Sequence, residues 1–176
     1  MLAALLHSPL PRLIPIGMIL LALQKTLFVE LQPFGVILQL VLAFAASAGA
    51  AGGSERGALA GFVLGIMFDL AIGTPLGSSS IAMGLAAWVA GMVHLIRIDA
   101  TWWISAIFVG VGAAVGETSV PVIRRFTGEE DAFVPEMWTI VPVVAVSSAI
   151  MSIAFVPLAR WSLGLARPEW KVPVDA

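Results

Sequence analysis

The chain has no cysteine and no tyrosine among its 176 residues. Without cysteine there can be no disulfide, no thiolate nucleophile and no thiolate metal site. Histidine is scarce as well. His7 and His94 are the only two, and the scattered carboxylates show no ligand spacing, so no metal is expected. Charged residues make up 11% of the chain, against about 25% in a soluble domain. A formal net charge of −2 leaves no basic surface for a nucleic-acid partner. Enzyme signatures are missing too, with no Gly-x-Ser-x-Gly elbow and no Walker loop. Ser78, Ser79 and Ser80 cluster, but no histidine falls on their side to activate them. The expectation is a non-enzymatic protein without a cofactor.

What the chain does have is apolar surface. Hydrophobic residues make up 60% of it, and mean hydropathy is +1.02. One water-facing core cannot hide that much, so the expected class is an all-α, polytopic integral membrane bundle. Six apolar segments fit within a single domain, 1–176: about 13–31, 34–51, 57–72, 80–98, 102–123 and 138–163. The third has sixteen residues, only ~24 Å of helix against a ~30 Å hydrocarbon core. It must start earlier, in the glycine run before it, or sit in thinned bilayer. Residues 1–11 lack the basic start of a signal peptide, and Pro9, Pro11 and Pro15 interrupt the apolar stretch after Leu6. They read as a membrane-surface lead-in, and residues 164–176 as a polar tail.

Basic residues set the orientation. With the N-terminus inside, Arg12, Arg56, Arg97, Arg160, Arg167 and Lys171 fall on the inner side. Lys25, Arg124 and Arg125 fall outside, and this six-to-three excess favours N-in, C-in. Trp102, Trp103, Trp138 and Trp161 all fall at span ends, where indole rings prefer to sit. No internal repeat of the kind found in many secondary transporters is evident.

Within the third segment, Gly57, Gly61 and Gly65 recur every four residues, continuing a run from Gly49 and Gly53. Small residues at this spacing let helix backbones approach closely in lipid. Each step of four turns about 40° around a helix, so the glycines form an oblique stripe with Asp69 on its flank. Helix packing within the chain is the expected use, ahead of a partner-binding face. Gly112 and Gly116 are a plausible mate for the stripe. Asp69 falls in the last turn of its helix, where the macrodipole disfavours a carboxylate that is not paired or hydrogen-bonded. Lys25, Arg124 and Arg125 lie on the same side as possible partners, as do the backbone N–H groups of the turn Gly73-Thr-Pro75-Leu-Gly77. Glu117 could pair with Lys25. His94, near the inner end of the fourth segment, reads as an interfacial residue rather than a proton relay.

The stretch Gly61-Phe-Val-Leu-Gly65-Ile-Met-Phe-Asp69-Leu-Ala-Ile-Gly73-Thr-Pro-Leu-Gly77 resembles the motif of the rod shape-determining protein MreD family. Leu23-Gln-Lys-Thr-Leu27 resembles a second element of that family, at the end of its first span. Size and span count agree over nearly the whole chain. Ser78–Ser80 and the small, Gly/Ala-rich end of the second segment depart from the commonest pattern. The resemblance implies a non-enzymatic, multi-pass component of the bacterial cytoplasmic membrane. It implies association with a bitopic MreC-like protein and, through it, an influence on a RodA-type polymerase and its penicillin-binding partner in peptidoglycan synthesis. It also implies a fold similar to the membrane substrate-binding subunits of energy-coupling-factor transporters.

Two functions are expected. The first is a scaffold and regulator of cell elongation, with Asp69 and the Gly73–Gly77 turn shaping a docking surface and the acidic loop 127–136 as a further contact. Composition alone makes that loop a solvated acidic segment. The alternative is a small-molecule transporter or its binding subunit, which needs a cavity with convergent polar groups. An intramembrane hydrolase built on Asp69 is a weaker third reading.

Overall fold

The computed structural model describes residues 10–28, 32, 35–96, 102–126, 128 and 136–165. These form six α-helices: α1 (Leu10–Thr26), α2 (Leu40–Gly52), α3 (Ser54–Ile72), α4 (Ser78–Gly91), α5 (Trp102–Phe126) and α6 (Met137–Ser162). A 3₁₀ turn, Met92–Leu95, extends α4. There is no strand among the described residues.

The organising element is α2. It packs against all five other helices, which close a ring around it in the order α1, α3, α4, α5, α6. Every residue from Leu40 to Ala51 is buried. Its sequence explains how this is possible. Ala43, Ala45, Ala46, Ser47, Ala48, Gly49, Ala50 and Ala51 make a thin rod that five neighbours can approach at once. Phe44 supplies bulk at one point and meets Phe155 of α6 edge to face, with ring centroids 5.8 Å apart. The Ser47 hydroxyl donates to the Ala43 carbonyl at 2.7 Å, so no polar group is stranded inside the rod.

Three stretches are long and apolar enough to cross a membrane: Ser78–Leu95, Trp102–Phe126 and Met137–Ser162. Helix α2 is apolar but shorter. The chain is thus a helical membrane protein. Its boundaries sharpen the expected spans. Helix α3 begins at Ser54, within the glycine run, and is ~28 Å long, though it is not among the helices apolar enough to cross a membrane by composition. Helix α2 begins at Leu40, well after residue 34, and α1 ends at Thr26. Helix α1 runs through Pro11 and Pro15, so it starts earlier than the expected residue 13. Pro11 sits in the first turn, where no intrahelical N–H is needed, and Pro15 removes one bond only. Trp102, Trp103, Trp138 and Trp161 are exposed at helix ends. Residues 1–9, Arg97, Arg167 and Lys171, most of the loop 127–136 and most of the tail lie outside the described residues.

Candidate functional site

Asp69 is 1% exposed, at the C-terminal end of α3. There α3 stops because Gly73 takes a left-handed conformation (φ 78°), its N–H capping the Asp69 carbonyl at 2.9 Å. The chain turns through Thr74-Pro-Leu and restarts as α4 after Gly77, whose φ of 103° again suits glycine. Helix α4 has no side-chain cap from its own Gly77, and Asp69 supplies one from α3. Asp69 Oδ2 accepts from the Gly77 N–H at 2.9 Å and from the Ser80 hydroxyl at 3.2 Å. Asp69 Oδ1 accepts from the Thr74 hydroxyl at 2.8 Å, the Ser79 N–H at 3.1 Å and the Ser78 hydroxyl at 3.3 Å. The carboxylate thus leaves the negative end of its own helix dipole and sits on the positive end of the next. Five donors and a helix N-terminus replace a counter-ion.

Among the described residues no cation is an Asp69 partner; of the two kinds of partner expected, the backbone N–H of the turn, at Gly77, is used and the basic side chains are not. Lys25 is exposed at the end of α1 and Arg125 is exposed at the end of α5. The expected Lys25–Glu117 pair is not formed either. The charge that acts on Glu117 is Arg124, seven residues on and on the same face of α5. Of the four expected charge partners, the structure brings together Glu117 and Arg124 only.

The glycine stripe is consumed by packing within the chain. A Cβ at Gly57 would overlap the Gly49 backbone of α2, one at Gly61 the Met83 carbonyl of α4, and one at Gly65 the Ser80 backbone. The stripe is therefore buried and is no partner face. Gly112 and Gly116 are not its mate. They meet α4 on a different face, about 100° around the helix from the one Gly61 meets, where a Cβ at Gly116 would lie 2.8 Å from the Ala86 Cβ, and 2.9 Å from the Leu42 Cδ1 of α2. Helix α4 thus meets both glycine stripes on neighbouring faces.

Two further residues have roles that the sequence reading did not give them. Gln24 is buried, and its Oε1 accepts from the Val41 N–H at 3.1 Å, capping the N-terminus of α2 from α1. Its Nε2 lies 3.3 Å from Gln39 Oε1. His94 Nε2 lies 2.9 Å from the Ala50 carbonyl at the other end of α2. A carbonyl can only accept, so this nitrogen carries the proton. The buried rod is thus capped at both ends by side chains from other segments.

Beside the Asp69 turn, the ends of α2 to α6 enclose a partly open cavity of about 400 Å³. Its polar lining is Gln39, Thr74, Ser79, Glu117 and Arg124, and Phe68, Met83 and Ile140 are among its apolar walls. No group of three or more His, Asp or Glu residues that could hold a metal occurs among the described residues. The chain matches no protein-family model, no curated protein and no solved structure.

Proposed function

We propose that the protein is a non-enzymatic membrane scaffold of the bacterial cell-elongation machinery, similar in role to the MreD family. In this reading it lies in the cytoplasmic membrane with both termini inside. It binds a bitopic MreC-like protein and acts through it on a RodA-type polymerase and a penicillin-binding protein. The observation that carries the reading is the corner at Asp69. The motif through which the chain resembles that family, Gly61 to Gly77, is one built unit here. Its glycines lock α3 onto α4, its carboxylate caps α4, and its tip holds exposed Pro75 and 71%-exposed Leu76 clear of the bundle. An apolar tip on a rigid base suits contact with another membrane protein. The glycine stripe holds that base in shape and takes no part in the contact.

A photo-crosslinking residue in place of Leu76, in cells carrying an MreC-like protein, tests this. The expected product is a crosslink to that protein, absent when the residue replaces Leu59 on α3. No crosslink at Leu76, together with elongation that is normal without the protein, would overturn the reading.

The 400 Å³ cavity favours a second reading, a small-molecule binding subunit. That reading predicts co-purification with an ATPase module and no wall-synthesis partner.

A further inference from the structure

The cavity at the Asp69 corner has a direction to its chemistry, fixed by hydrogen bonds outside it. The Val41 N–H can only donate, so the Gln24 atom facing it is oxygen. Gln24 then presents its NH₂ to Gln39, whose oxygen accepts. That leaves the Gln39 amide N–H groups as donors at the cavity. The Thr74 hydroxyl, also in the lining, gives its proton to Asp69, so only its lone pairs remain. Glu117 is part-buried in the lining and receives no hydrogen bond from any described residue. Arg124, seven residues on, adds a guanidinium with five N–H donors, enough to serve more than one partner. Apart from Ser79, the polar lining therefore divides into acceptors, Thr74 and Glu117, and donors, Gln39 and Arg124.

We infer that this cavity binds an aminoethyl phosphate zwitterion, its ammonium on Glu117 and Thr74 and its phosphate on Arg124 and Gln39. Three observations select this class. A carboxylate and a guanidinium two helical turns apart along α5 match a ligand whose opposite charges are separated by a short chain. Two acceptors with no proton to give suit a ligand group rich in N–H donors, which a primary ammonium is and a quaternary ammonium is not. About 400 Å³ lies in the range of small-molecule sites and is too small for acyl chains. The cavity lies toward the helix ends and is partly open, so the group can arrive on a phospholipid or as a free solute. The inference rests on the cavity alone and holds whether the protein is a scaffold or a binding subunit.

The test uses the full-length protein in detergent, given equal amounts of phosphatidylethanolamine, phosphatidylcholine and phosphatidylglycerol with identical acyl chains. Native mass spectrometry then reads the bound lipid. The expected result is enrichment of phosphatidylethanolamine over both others by about tenfold, the scale of one charge-assisted hydrogen bond. Glu117→Gln should abolish the preference, and Val120→Phe, which fills the cavity without touching its polar set, should lower retention of that lipid. A thermal shift with soluble O-phosphoethanolamine, in place of lipid selectivity, would assign the same site to a free ligand. Equal retention of the three lipids with no shift from O-phosphoethanolamine overturns the inference. So does a preference that survives both substitutions in protein that elutes as a single folded species.

Discussion

Replacing Asp69 by Asn removes a charge and almost no volume, and the geometry says which bonds fail. One carboxylate oxygen faces the Gly77 N–H and the other faces the Ser79 N–H. An amide has one oxygen and one NH₂, so either orientation sets a donor against one of these backbone donors. The serine and threonine hydroxyls can rotate away, but the backbone N–H groups cannot. An unsatisfied buried donor costs about 1–3 kcal/mol, and exchanging charged for neutral hydrogen bonds adds about 1 kcal/mol. Asp69→Asn should therefore destabilise the protein by about 2–4 kcal/mol. For a chain of this length that is a fall of roughly 5–15 °C in unfolding temperature. Asp69→Ala strands both N–H groups and should cost about 3–5 kcal/mol. Thermal unfolding in detergent, followed by tryptophan fluorescence, measures both. Because no cation touches Asp69, exchanging its charge with Lys25 or Arg124 should restore nothing. Unfolding of Asp69→Asn within about 1 °C of wild type, or rescue by a charge swap, would refute this account.

The glycines should divide by what surrounds them. Gly61→Ala drives a Cβ into the Met83 carbonyl and should cost about 1–3 kcal/mol. Gly84→Ala meets nothing nearer than the Ala58 carbonyl at 3.4 Å, so it should be neutral or stabilise α4 by up to about 1 kcal/mol in the same assay. Gln24→Leu and His94→Leu should each loosen one end of α2 by about 1–2 kcal/mol. Hydrogen exchange should show faster exchange at Val41 in the first, and lost protection near Gly53 in the second. Arg12 lies 5.4 Å over the Trp161 ring and donates to the Trp161 carbonyl at 3.4 Å. Arg12→Ala should cost about 1 kcal/mol, and equal unfolding temperatures would show that this exposed contact does not anchor α1 to α6.

The helices were legible because membrane helices write themselves as apolar runs, and all six runs became helices. The breaks were read less well. The expected second span began at 34, whereas α2 starts at Leu40, because hydropathy does not register where a helix N-terminus finds its cap. That cap is Gln24, fifteen or more residues earlier. The glycine stripe was legible as close packing, yet its mate was misassigned. Spacing alone shows that Gly61 and Gly112 both need a close neighbour and cannot show that α4 serves both. Asp69 was legible as a buried carboxylate needing partners. The turn N–H groups were among the partners expected; the three hydroxyls and the Ser79 N–H were not, because they arise from the turn geometry set by Gly73 and Gly77.

That outcome moves the functional question from one carboxylate to another. A charge inside a membrane helix is a candidate for function because it costs so much to keep there. Asp69 meets that cost structurally. Its lone pairs are occupied, it is sealed from the surface, and removing it would undo the junction of α3 and α4. A residue so fully engaged has little left with which to meet a substrate. Glu117 is the reverse case. It receives no hydrogen bond from any described residue, feels Arg124 along its own helix, and lines the cavity. No cap, turn or close approach depends on it. If both were only structural, Glu117→Gln should be as damaging to folding as Asp69→Asn. The expected result is the opposite, an unfolding temperature near wild type for Glu117→Gln with altered ligand retention. A Glu117→Gln variant that unfolds as early as Asp69→Asn would place Glu117 among the structural groups after all.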